Sequence, residues 1–173
     1  MKEADSRTRE VLFSEEQRMR QIWIWLLVGM VAVISWVAFV HQIMFDDPFG
    51  TRPAPNFIVW LILAIFGIGL PWLMYSLKLT TRLERSRLVI RFRPLLTREF
   101  PLEEITSCEA RTYRPLREFG GWGIRFSPKY GRAYNMSGNR GVQLHLSNDR
   151  RVLIGSQRAD ELARLIKQQE VGA

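Results

Sequence analysis

Two long uncharged apolar runs, residues 22–45 and 57–77, constrain this chain more than any other feature. They are 24 and 21 residues long and contain no Asp, Glu, Lys or Arg. A bilayer core about 30 Å thick needs about 20 apolar residues as helix, so each run is long enough to cross it. Both exceed the apolar stretch of about 7–15 residues in a signal peptide. Residues 1–21 also carry five acids among their bases, unlike a basic leader. Both runs therefore read as permanent spans. They exclude a simple soluble globule and wholesale disorder. A single cysteine, Cys108, excludes a disulfide scaffold.

Aromatic rings mark the span ends. Trp23 and Trp25 open the first, Trp60 lies near the start of the second, and Trp72 and Tyr75 lie near its end. Lys and Arg counts set the expected orientation. Residues 1–21 hold five, the connecting loop 46–56 holds only Arg52, and residues 78–98 hold seven. The positive-inside rule then puts both termini in the cytoplasm and the loop outside. Pro71 predicts a kink, eased because the residue four back is Gly67. His41 and Gln42, near Asp46 and Asp47, read as interfacial residues rather than ligands. Neither span has a carboxylate or lysine at its centre, which argues against transport by this chain alone.

Residues 1–14 read as a flexible cytoplasmic arm. Ser14-Glu15-Glu16-Gln17 fits a capping box, so a helix is expected from residue 15, running through the first span to residue 45. The second span is expected over 57–78.

Residues 79–173 differ in kind. They carry 18 Lys and Arg against 10 Asp and Glu, so the whole net charge of +8 belongs to them. Their apolar residues alternate, the mark of half-buried strands. Leu88, Ile90 and Phe92 form one such set. Trp122, Ile124 and Phe126 form another, followed by Val142, Leu144, Leu146 and then Val152, Ile154. Shorter strands are expected over 79–84, 95–100, 105–113 and 132–136. Within 105–113 the inward face stays open between two readings, because a bulge would decide whether Cys108 and Ala110 point inward. The last element changes period: Ala159, Leu162, Ala163 and Ile166 share one helix face, with Ser156 as N-cap. The expected domain is a bent antiparallel sheet or barrel of seven or eight strands, capped by one C-terminal helix.

That pattern resembles the pleckstrin-homology (PH) superfold, and in particular bacterial PH-like domains that follow a transmembrane helix pair. The stretches 100–105 and 150–157 look like a third strand with its turn and a last strand with its cap. Residues 120–125, 133–138 and 155–157 resemble blocks in small two-span bacterial membrane proteins. The resemblance implies a PH-like domain at the inner membrane. It does not imply one ligand, since the fold hosts lipid, peptide and protein binding alike.

Catalytic motifs are absent from the sequence. There is no phosphate-cradling Gly-rich loop with its lysine, no His-Glu-x-x-His, no Cys-x-x-Cys and no Gly-x-Ser-x-Gly. No enzyme, cofactor or metal is expected. Cys108 reads as a reduced thiol in or near the core, and His145 as a solvated strand residue. The distinctive feature is basic. Arg87, Arg91 and Arg93 share a strand face just after the second span, and Arg125, Lys129 and Arg132 flank the turn at Tyr130-Gly131. They are the candidate headgroup or partner-binding residues. Gly120-Gly121-Trp122-Gly123 reads first as a tight turn with Trp122 plugging the core. Its second reading is a ligand loop lined by Trp122, Tyr130 and Tyr134. Nucleic acid is not an expected partner, because the tail has no aromatic-lined motif. The functional expectation is a noncatalytic binding or scaffold module at the cytoplasmic face of the inner membrane, docking on anionic headgroups, on a membrane-protein partner or on a second copy. The alternative is an accessory subunit of a larger membrane complex, assembled through its helices at Gly67 and Gly69.

Overall fold

The computed structural model describes residues 10–47, 50 and 54–171. Residues 1–9 of the expected arm, and 48–49 and 51–53 of the expected loop, lie outside the described residues. The chain forms two compact units. One is Arg20–Leu77; the other joins Met1–Met19 to Lys78–Ala173.

The first unit is a pair of helices, α1 (Ile22–Met44) and α2 (Asn56–Ser76), both long and apolar enough to cross a membrane. Most of their apolar side chains point away from protein; Ile22 is 75% exposed and Leu26 69%. The contacts between the helices are few and specific. Phe39 meets Trp60 edge-on at 4.6 Å between ring centres. Gln42 is buried and donates to the Ala54 carbonyl and, at 3.0 Å, to Asn56 Oδ1, tying the end of α1 to the start of α2. The helix widens to π geometry over Leu63–Gly69, directly before Pro71. Leu70 N–H donates five residues back, to Ile65. The wide turn accommodates the proline, which has no N–H and would crowd an ordinary α turn.

The second unit is the β domain. Its first strand was not expected. β1 (Val11–Arg18) lies where the sequence predicts the end of a loose arm and the start of a capped helix. It pairs antiparallel with β2 (Lys78–Glu84), from Val11 opposite Glu84 to Arg18 opposite Lys78. The two apolar helices are thus inserted between neighbouring strands of one sheet. A serine cap stabilises a helix by about 1 kcal/mol. The strand outweighs that with a ladder unbroken from Phe13 to Arg18, a buried Phe13 and the side-chain bonds of Glu15 and Gln17. Glu15 accepts from Ser156 Oγ at 2.5 Å and from Gln157 N at 2.9 Å, and Gln17 Nε2 donates to the Gly155 carbonyl at 2.9 Å.

β3 (Arg87–Arg93) and β4 (Leu96–Pro101) complete a four-stranded sheet, ordered β1-β2-β3-β4. A single 3-10 turn, Leu102–Glu104, leads into β5 (Ile105–Thr112). A short helix, α3 (Pro115–Phe119), precedes β6 (Gly123–Ser127), β7 (Gly131–Asn135), β8 (Arg140–Leu146) and β9 (Arg151–Gly155). These five strands form a second sheet, ordered β5-β8-β9-β7-β6. The C-terminal helix, α4 (Ala159–Val171), buries Ala159, Leu162, Ala163 and Ile166, the face read from the sequence. Ser156, read from the sequence as the N-cap, instead lies in the turn before the helix, where its Oγ accepts from Arg158 N at 3.1 Å; the first helical bond runs from Leu162 N to the Arg158 carbonyl.

Three details correct the sequence reading. β7 and β9 are parallel, not antiparallel, because β9 inserts between β8 and β7 and so runs alongside a strand of its own direction. Glycines make room for it: a Cβ on Gly131 would overlap the Arg151 carbonyl, and one on Gly141 would crowd that of Ile154. Next, Trp122 is not a core plug. It is half-buried, and its Nε1 donates to the Gly138 carbonyl at 2.9 Å. Phe126 likewise points outward, 69% exposed, because β6 is an edge strand paired only with β7. The surrounding glycines do form the expected turn; Gly120 ends α3 at φ +70°. In β5 a register shift between Ile105 and Ser107 settles the open face: Cys108 is buried and Ala110 is half-buried.

Candidate functional site

The basic residues singled out from sequence fall into two groups on different sheets. Strand register places the first group. Arg87, Arg91 and Arg93 lie on one face of β3. Lys78, Thr80 and Arg82 of β2 share that face, opposite Arg93, Arg91 and Val89 respectively. On β1 the same face carries Ser14, Glu16 and Arg18.

Ion pairs then divide these cations. Arg87 donates to Glu84 at 2.8 Å and to Glu99 at 2.9 Å, and these carboxylates, Glu84 foremost, raise the already high pKa of its guanidinium. Glu16 lies 3.1 Å from Lys78 and 3.5 Å from Arg18, and its carboxyl pKa is lowered, chiefly by Lys78. Among the described residues, Arg82, Arg91 and Arg93 have no carboxylate partner. The expected set Arg87, Arg91 and Arg93 is thus divided by its charge balance. Arg87 is balanced by two acids, and Arg82 joins the face instead. Its position was readable from alternation on β2, two residues after Thr80. At the tip of the β3–β4 turn, Leu95 is 58% exposed, two residues beyond Arg93.

The second group sits on the β6–β7 hairpin and is also divided. Arg125 Nε donates to the Trp122 carbonyl at 3.0 Å. Lys129 and Arg132 instead line a cavity of about 580 Å³, together with Arg150 of the β8–β9 turn and Arg151 at the start of β9. Those two arginines were not singled out, because only the insertion of β9 beside β7 brings them to this hairpin.

The three aromatics of the expected ligand loop are not brought together. Tyr130 packs at 5.9 Å on Phe119, against a buried cluster with Tyr113, Ala133 and Leu153. Arg111 and Lys129 approach its ring, at 5.0 and 5.3 Å from the centroid. Tyr134, one residue after Ala133, faces the opposite side of the sheet, is 1% exposed and lines the cavity. Trp122 belongs to neither place.

Cys108 Sγ lies 3.5 Å from the Ala163 carbonyl, under α4. His145 is exposed. His41 Nδ1 lies 3.4 Å from Asp47 Oδ2, and among the described residues no three His, Cys, Asp or Glu side chains are placed to share a metal. Tyr113 is buried beside Asn135 and Gly155. Burial pushes its hydroxyl pKa up to about 12, with smaller opposing effects from Asn135 and Arg111.

A β domain of two sheets and a C-terminal helix, with two apolar helices inserted after its first strand, is the class of protein this chain represents. Residues 5–171 match the model of a family of unknown function, DUF6141, and the chain belongs to that family. The match runs from before β1 to the last turn of α4, so helices and β domain form one family unit. No curated protein matches the chain.

Proposed function

We propose that this protein is a noncatalytic binding module of the inner membrane, with a PH-like β domain that docks on anionic headgroups at the cytoplasmic face. The observation that carries this reading is the set of cations Arg82, Arg91 and Arg93 on one sheet face, none with a carboxylate partner among the described residues. That face begins at Lys78, two residues past the end of α2. Each Lys or Arg near an anionic surface contributes about 1 kcal/mol, and a domain already tethered needs only a few. Leu95, exposed beside Arg93, adds an apolar side chain suited to the headgroup boundary. The membrane reading is supported by 23 and 21 residues of exposed apolar helix. Pairing of β1 with β2 supports both flanks of the helix pair lying on one side of the membrane, and the Lys and Arg counts support that side being the cytoplasm. Two sheets with a C-terminal helix packed on β5 and β8 support the PH-like reading.

The alternative is a complex subunit assembled through its helices, with Gly67 and Gly69 as its expected contact points. Gly67 faces Trp36 within the pair, where a Cβ would lie 3.4 Å from the indole nitrogen. A Cβ on Gly69 would lie 2.9 Å from the Ala64 carbonyl of its own π turn.

The test uses the full chain in lipid nanodiscs, with a fluorophore on Thr97→Cys, a position opposite Arg91 on the same face. Nitroxide-labelled headgroups should quench it in phosphatidylglycerol discs and much less in phosphatidylcholine discs. The quenching should fade with salt and be lost in the triple variant Arg82→Gln, Arg91→Gln, Arg93→Gln. Quenching that ignores lipid charge would sink the proposal.

A further inference from the structure

We propose that the cavity between the β6–β7 and β8–β9 turns is a binding site for a phosphomonoester that carries a compact apolar or aromatic group. This site is separate from the sheet face proposed above, and neither depends on the other. Its volume, about 580 Å³, lies within the usual range for small-molecule sites. Four cations line it, Lys129, Arg132, Arg150 and Arg151, against one acid, Asp149. None of the four is in an ion pair among the described residues.

Two of them are held by neutral acceptors, which orient a guanidinium without cancelling its charge. Arg150 Nε donates to Asn148 Oδ1 at 2.9 Å, and Arg151 Nη1 donates to the Lys129 carbonyl at 2.9 Å. The second of these bonds ties the start of β9 to the β6–β7 turn. Gly131, at φ +80°, lets β7 approach so closely that any side chain there would strike the Arg151 carbonyl. The cations are therefore set on a backbone framework rather than on a loose surface. Behind them, Phe100 and Val152 give the cavity an apolar wall. Tyr134 lines the same space with 1% of its surface exposed, and its hydroxyl bonds to no described residue.

The charge count selects the ligand class. Four cations and one carboxylate leave a local excess of three positive charges. A phosphomonoester brings about −1.5 to −2 near neutral pH, whereas a carboxylate brings only one negative charge. Three of the four cations are arginines, whose planar fork matches phosphate oxygens in pairs. The apolar wall favours an organic substituent over inorganic phosphate. The phosphomonoester can be free in solution or be the headgroup of a lipid such as phosphatidic acid.

The experiment is calorimetric titration of the full chain, in phosphatidylcholine nanodiscs, with phenyl phosphate and with inorganic phosphate. Phenyl phosphate should bind, and inorganic phosphate more weakly. The double variant Lys129→Gln, Arg132→Gln should weaken phenyl phosphate about tenfold or more, since each tenfold corresponds to about 1.4 kcal/mol. Arg114→Gln with Arg117→Gln removes the same charge elsewhere on the domain and should leave binding unchanged. Arg91→Gln with Arg93→Gln should also leave it unchanged, which separates this site from headgroup docking. Tyr134→Phe keeps the ring and should weaken binding several-fold without lowering the melting temperature. Phosphatidic acid in the discs that displaces phenyl phosphate assigns a lipid source; binding undisturbed by it assigns a soluble one. Failure of phenyl phosphate to bind, or equal weakening in all three double variants, overturns the proposal.

Discussion

Leucines in the two units of this protein live in opposite surroundings. Leu26 in α1 is 69% exposed and Leu61 in α2 is 52% exposed, whereas Leu79, Leu83 and Leu88 in the first sheet are fully buried. The β domain keeps such residues buried, whereas the helix pair displays them. Each unit therefore draws its stability from a different source. The β domain depends on burial, with close contact on all sides. The helix pair has a narrow seam, with Gly67, Trp36, Phe39, Trp60 and Gln42 in it, and leaves the rest to its surroundings.

Substitutions in the two units test that contrast. The largest effect is expected at Phe13, which precedes the helices but belongs to the β core. It is 3% exposed and lies under the Arg158 guanidinium at 4.8 Å. Phe13→Ala should cost about 3–5 kcal/mol in urea unfolding of the β domain, followed in the full chain in micelles. A loose arm at this position would give almost nothing.

Next comes the matched leucine pair. Leu88→Ala should cost about 2–5 kcal/mol, while Leu26→Ala should leave β-domain unfolding unchanged. Equal losses would mean that the two units share one core.

Third is a pH effect confined to the β domain. The buried Tyr113 hydroxyl has its pKa raised from 10.0 to about 12. The neutral phenol is favoured in the folded state, so this contribution is complete below pH 10 and is lost as pH rises through the folded value. At about 1.4 kcal/mol per pKa unit, roughly 2–3 kcal/mol should disappear between pH 10 and 12. Tyr113→Phe should flatten that part of the stability profile; an unchanged slope would show the hydroxyl to be solvated.

The smallest effect belongs to Glu15. Glu15→Gln keeps the shape but gives up charge-assisted bonds to Ser156 and Gln157. A loss of about 1 kcal/mol is expected, with faster hydrogen exchange of β1 amides as the local readout. Exchange that stays slow would mean that the β1–β2 ladder alone holds the strand.

Legibility followed the range of the interactions. The apolar runs, the buried face of α4 and the inward sets Leu88, Ile90, Phe92 and Val142, Leu144, Leu146 were readable because periodicity is local. β1 was not, because Ser14-Glu15-Glu16-Gln17 also fits a helix start and its partner strand comes some 60 residues later. Trp122 and Phe126 misled because alternation marks a strand without saying whether it is an edge. The candidate site was legible as a list of cations but not as a grouping. Arg87 looked equivalent to Arg91 and Arg93 until Glu84 and Glu99 appeared beside it, and Arg150 and Arg151 acquired meaning only when β9 entered between β8 and β7.

Hydrophobic period and run length, both properties of neighbouring residues, already define the two apolar helices, the basic β domain and its closing helix. Long-range pairing instead set the strand from before the helices that completes the first sheet, the arginines without a carboxylate partner among the described residues, and the four cations that line one cavity. Those outcomes depend on pairing between distant segments, and no local propensity encodes which segments will meet.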